Sequence, residues 1–163
     1  MGESLPQAIS KALRLLDRDP KDDLVCEFVL DTYPHSFSYI STRALVSELS
    51  ESAVLDALGK GRCYICYEAL GDPQGFRFQA LGKGQKALMG GSLPHQHGLE
   101  LEIASPIPCV LRLLKDGKTV GKTEGRGLIH RVEGPGVYRA EAWLRLLDTE
   151  RLWLFTNPIY VTG

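Results

Sequence analysis

The sequence predicts a mainly β protein: an antiparallel, immunoglobulin-like β-sandwich preceded by an α/β lead-in of two helices and a few strands. Three observations carry this expectation. After residue 61 the hydrophobic period changes from helical to two. Short alternating runs are then separated by turn signals at Gly71-Asp72-Pro73, Gly90-Gly91, Asp116-Gly117 and Gly134-Pro135-Gly136. Upstream of the switch, two stretches carry helix caps and helical spacing. The implied division is 1–70 for the lead-in and 71–163 for the sandwich, close to the roughly 100 residues usual for such a domain.

Taken in order, Leu5, Ala8, Ile9, Ala12, Leu13 and Leu16 form one continuous helical face. Ser4 and Gln7 supply a capping box, and Pro20 within "DRDPKDD" ends the helix. "LVCEFVL" (24–30) reads as a strand, "YPHSF" (33–37) as a turn and "SYISTRALV" (38–46) as extended chain. A second helix is expected from Glu51 to Leu58, with Ser50 as N-cap, Leu49 and Val54 as a hydrophobic staple, and Gly59 as the stop. "RCYICYEAL" (62–70) reads as a strand.

In the β region, "GFRFQA" sets Phe76, Phe78 and Ala80 against Arg77 and Gln79, and "LELEI" sets Leu99, Leu101 and Ile103 against Glu100 and Glu102. "GVYRAEAWLRLL" places Tyr138, Ala140, Ala142, Leu144 and Leu146 on one face, with Arg139, Glu141, Trp143 and Arg145 on the other. Each run is the pattern of a half-buried strand.

Composition narrows the function. The chain has 163 residues, 44% hydrophobic and 24% charged, which is ordinary globular material able to form a core. A net charge of −1 provides no basic field for nucleic acid or anionic lipid. No uncharged apolar run approaches the roughly 18 residues of a membrane span. The first residues lack a signal-peptide pattern, and Pro6 occupies the position where myristoylation needs Ser or Thr. These features lead to the expectation of a cytoplasmic protein that binds neither nucleic acid nor membrane.

The stretch "LLKDGKTVGKTEGRG" (113–127) superficially resembles a phosphate-binding loop. Only three residues separate Gly117 from Gly121, where the motif needs four, and no helical period follows. Asp116-Gly117 between "CVLRLL" and "KTVGKT" instead signals a tight β-hairpin. Cys63 and Cys66 form a CxxC, but on a strand residues three apart face opposite ways, so a structural role is expected for the pair. Residues His95 and His97, with His35, are the ones a metal would use, and Asp31 is the nearest candidate base. The surrounding "GGSLPHQHGLE" reads as a solvated loop with no acidic or histidine cluster at ligand spacing, so no metal ligand, cofactor residue or catalytic residue is assigned. Trp143, on the polar face of its strand, is the better exposed of the two tryptophans and the candidate binding platform.

Two stretches carry a family resemblance. "ESAVLDALGKGRCYICYEALGDPQGFRFQA" (51–80) is similar to the end of the catalytic domain in metal-dependent phosphoesterases of the polymerase-and-histidinol-phosphatase (PHP) type, with "YPHSF" upstream. "LRLLKDGKTVGKTEGRGLIHRVEGPGVYRAEAWL", followed by "LWLFTNPIYV", resembles the small β-sandwich that follows that domain in one branch of the family. The resemblance covers roughly residues 30 to 162 and rests on several moderate motifs in the right order. It implies a C-terminal portion without the family's divalent-metal centre, because the family's ligands all precede the matched region. His95-Gln96-His97 copies the family's H-x-H in letters alone. The implied function is a non-catalytic accessory module acting in scaffolding, dimerisation or ligand binding. Its implied partner is a catalytic domain, another protein or a second copy. The alternatives are a small metal-dependent hydrolase using His95, His97 and His35, or a stand-alone binding sandwich.

Overall fold

Ten strands and one α-helix account for the regular structure of residues 39–163, the part of the chain that a computed structural model describes. All of these residues belong to one compact unit, Tyr33–Gly163. In chain order the elements are β1 (Ser41–Ala44), α1 (Glu51–Gly59), β2 (Cys63–Cys66), a 3-10 turn (Glu68–Leu70), β3 (Arg77–Gly82), β4 (Gln85–Leu88), β5 (Ser92–Pro94), β6 (Glu100–Lys115), β7 (Lys118–Arg131), β8 (Gly136–Leu146), β9 (Thr149–Thr156) and β10 (Ile159–Thr162). The helix expected over residues 4–16, the strand 24–30, Asp31 and His35 lie outside the described residues.

The protein is mainly β and its pairing is antiparallel, apart from the short parallel ladder between β5 and β10. All ten strands join in one hydrogen-bonded sheet. The reason is β6, which changes partners along its length. Its first half, Glu100–Ala104, pairs with β3, and its second half, Val110–Lys115, pairs with β8, while β7 follows both halves. The ladder is interrupted between Ala104 and Cys109, across Pro106 and Pro108. Proline cannot donate to a ladder, so the pairing breaks there. The strand path β4–β3–β6–β8–β10–β5 thus turns around one core, and its two end strands are joined by the short Met89–Gly91 link. β1 and β2, expected in the lead-in, extend the same sheet through β9.

The core follows the alternation. Leu99, Leu101, Ile103, Phe78 and Ala80 are fully buried, as are Leu111, Leu113, Tyr138, Ala140 and Ala142. Leu146, expected on the same face as Tyr138, is exposed because β8 ends there in the left-handed turn Leu147-Asp148. Asp116 (φ 48°) and Gly117 (φ 82°) form the predicted hairpin, closed by the Lys115–Lys118 pair. Two positive φ values define the turn whose twist matches antiparallel strands.

Helix α1 starts as expected, with Ser50 Oγ accepting from the Ala53 N–H at 3.2 Å. Two details differ. Leu49 is 95% exposed, so no staple with Val54 forms. The left-handed stop falls at Gly61 (φ 66°), two residues past Gly59, and Lys60 is the C-cap. Ala57 is the only fully buried residue of α1; Leu55 and Leu58 remain exposed.

Candidate functional site

A concave region lies between the α1–β2 corner and the β4–β5 corner. Two adjoining cavities, of about 460 and 350 Å³, share Arg62 and Leu88 as a common wall. Cavities of a few hundred Å³ are the size that holds a small molecule. Leu45, Val46 and Ala53 line the first, with Ser47 and Asp56; Lys60, Lys86 and the Ala87–Ser92 corner line the second.

Local sequence builds each wall, and long-range contacts join them. The left-handed Gly61 turns the chain out of α1, and the Arg62 N–H then donates to the Ala57 carbonyl at 2.8 Å. The Arg62 carbonyl accepts from the Leu45 N–H, which fastens the segment entering α1 to the segment leaving it. On the other wall, Gly90 (φ 82°) presses its backbone onto the same corner. A Cβ there would stand 2.2 Å from the Lys60 carbonyl oxygen and 2.5 Å from the Gly61 carbonyl carbon. Only glycine permits that approach. The Gly90 N–H donates to the Pro158 carbonyl at 2.7 Å, and Asn157 Nδ2 donates to the Gly61 carbonyl at 3.0 Å. The segment leading into β10 therefore ties the two walls together.

The charge of the cleft is one-sided. Arg62 Nη2 and Lys60 both bond Asp56, the Lys60 pair at 2.8 Å. The Lys60 hydrogen bond, with the nearby positive charges, holds the Asp56 carboxyl below its usual range against some desolvation. Lys86 has no ion-pair partner among the described residues, and Arg62 Nε is buried with no acceptor. The lining thus sets three cations against one carboxylate, on walls that are polar and apolar in about equal measure.

The residues singled out from sequence lie elsewhere. His95 and His97 sit in the loop after β5 and engage different partners: His95 Nε2 lies 3.3 Å from the Val132 carbonyl, and His97 Nε2 lies 3.5 Å from Arg131. Among the described residues no three His, Cys, Asp or Glu side chains form a group able to hold a metal ion. Trp143 is half-buried on the outer face of β8, whereas Trp153 is fully buried with its Nε1 donating to the Gly71 carbonyl at 2.9 Å. One face of the Trp143 ring carries a cation. The Arg112 guanidinium stands 4.4 Å from its centroid, and its Nε1 donates to Glu141 at 3.1 Å. Pair register explains this, since Arg112 faces both Glu141 on β8 and Lys122 on β7. Glu150 closes the network by pairing with Arg112 and, at 3.4 Å, with Lys122; burial works against its ionisation, but the two cations keep its carboxyl low.

Cys63 and Cys66 point to opposite faces of β2, as the strand period requires. Cys66 is fully buried, and burial pushes its thiol up to about 11. Cys63 is half-buried, and its sulfur accepts from Asn157 Nδ2 at 3.1 Å. Sequence reading missed the Arg62 cleft. Its one local sign is cations interleaved with glycines, in Gly59-Lys60-Gly61-Arg62 and again in Lys83-Gly84-Gln85-Lys86, a pattern that also fits solvated loops.

Among the described residues, no helix is long and apolar enough to cross a membrane. No family model, curated protein or solved structure matches the chain.

Proposed function

We propose that this chain is a non-catalytic accessory module, related to the C-terminal portion of PHP-type metal-dependent phosphoesterases, that binds a partner or ligand through the Arg62 cleft. The observation that carries this reading is the cleft itself. Backbone from the α1–β2 corner, the β4–β5 corner and the β10 approach converges there through Gly61, Gly90 and Asn157, giving preformed walls around a cationic wall residue. A preformed concave site lowers the ordering cost of binding.

The finer fold belongs to the same proposal. In this reading residues 71–163 are an immunoglobulin-like sandwich, and residues 1–70 are an α/β lead-in in which helix 51–58 and strand 62–69 are the retained last α/β unit of a catalytic domain. Supporting it, the buried Tyr138 donates its hydroxyl to the Gly134 carbonyl at 2.8 Å, the tie made by a tyrosine corner. The module would work in the cytoplasm beside a catalytic domain, another protein or a second copy, without nucleic acid or membrane.

The test is an activity assay on the full chain with manganese or zinc and p-nitrophenyl phosphate. The expected result is turnover no greater than that of metal in buffer. Robust hydrolysis that disappears on chelation refutes the non-catalytic reading and favours a metal-dependent hydrolase.

A further inference from the structure

We infer that the Arg62 cleft selects a small organic anion: a carboxylate or phosphate head on a short apolar body. The inference deepens the proposed function and rests on the cleft being its binding surface. Three features of the cleft point to this class. The first is charge. Lys60, Arg62 and Lys86 line adjoining cavities whose one lining carboxylate, Asp56, is already shared between Lys60 and Arg62. A second anion therefore meets an uncompensated Lys86, with the Asp56-paired Lys60 and Arg62 beside it in the same lining. A guanidinium and an ammonium close together bind carboxylate or phosphate through charge-assisted hydrogen bonds.

The second feature is the wall. Leu45, Val46, Ala53 and Leu88 give the first cavity an apolar side beside its polar one, and Leu88 is 37% exposed. An inorganic ion would leave that surface wet, whereas an aliphatic body would cover it. The third is rigidity. Gly90 lies against the Lys60 carbonyl too closely for any side chain, so the two walls keep their spacing. A cleft already spaced for its occupant favours a compact ligand over an extended macromolecular surface.

The experiment is a titration of the full 163-residue chain, followed by amide NMR at Gly61, Gly90 and Gly91, with four probes: octanoate, octyl phosphate, octanol and inorganic phosphate. Octanoate and octyl phosphate are expected to shift these amides saturably, at roughly millimolar affinity for ligands of this size. Octanol and inorganic phosphate should each bind at least about tenfold more weakly, and added salt should weaken the two anionic amphiphiles. Lys86→Gln, at an exposed unpaired residue, should weaken octanoate about three- to tenfold. Arg126→Gln, on exposed β7, should leave it unchanged.

If octanol matches octanoate, the anion selectivity is overturned while the cleft stands as a binding surface. Inorganic phosphate matching octyl phosphate removes the apolar component. If none of the probes moves the three glycine amides, the ligand class and the cleft as binding surface both fall. Comparing octanoate with octyl phosphate shows which head group the cationic wall prefers.

Discussion

Replacing Gly90 with alanine tests the geometry that holds the cleft open. Gly90 has φ 82°, a conformation that costs an L-residue about 1–2 kcal/mol. The added methyl would also stand 2.2 Å from the Lys60 carbonyl oxygen and 2.5 Å from the Gly61 carbonyl carbon. Both neighbours are backbone atoms, so relief requires moving the α1–β2 corner or the β4–β5 link. Forced overpacking of that kind costs about 1–3 kcal/mol. The sum is roughly 2–5 kcal/mol, a large part of the stability of an ordinary domain. Gly98→Ala is the matched control. Gly98 has φ 84° and nothing within 4 Å of an added Cβ, so it carries the backbone penalty without the collision. Urea unfolding followed by tryptophan fluorescence should place Gly90→Ala about 1–3 kcal/mol below Gly98→Ala. Equal stabilities, within about 0.5 kcal/mol, would show that the two corners separate without cost and would refute the rigid-wall argument.

Other outcomes follow from single contacts. Tyr138→Phe keeps a ring that is 1% exposed but removes the donor to the Gly134 carbonyl. It should cost about 0.5–1.5 kcal/mol by the same unfolding measurement, and no loss would mean that water satisfies both groups equally well. In a Cys26→Ser background, a thiol reagent should label Cys63 well before Cys66 and Cys109, both of which are buried with thiols raised by desolvation; equal labelling rates would contradict the β2 orientation. The raised Cys66 value also has a pH consequence. The fold favours the neutral thiol, so its contribution is complete below the ordinary value of 9.0 and is lost as pH rises towards about 11. A Cys66→Ala variant should therefore show a smaller drop in melting temperature across that window than the parent.

Much of the fold is written in short-range pattern. Asp116-Gly117 specifies its turn because two adjacent residues must both take positive φ, a demand that concerns those residues alone. The alternation at Leu99, Leu101 and Ile103 specifies which face is buried, because successive strand residues point to opposite sides. Ser50 caps α1 through an atom three residues away. Leu49 shows where such reasoning fails. Its spacing from Val54 permits a staple, but whether the contact forms depends on the direction in which the preceding chain enters.

The site depends on contacts that sequence spacing does not reveal. Asn157 reaches Gly61 across 96 residues, and one face of Trp143 is covered by Arg112, which lies on a neighbouring strand. Gly90 reads locally as half of a turn signal, and in space it is the point where one wall touches the other. Pattern and propensity act over a few residues, so the strands, the hairpin and the helix cap could be read from them. The position of Arg62 between two cavities depends on β6 exchanging β3 for β8 along its length, which brings distant corners together. Chain path and ladder register set that arrangement, and neither is encoded within the range over which local preferences operate.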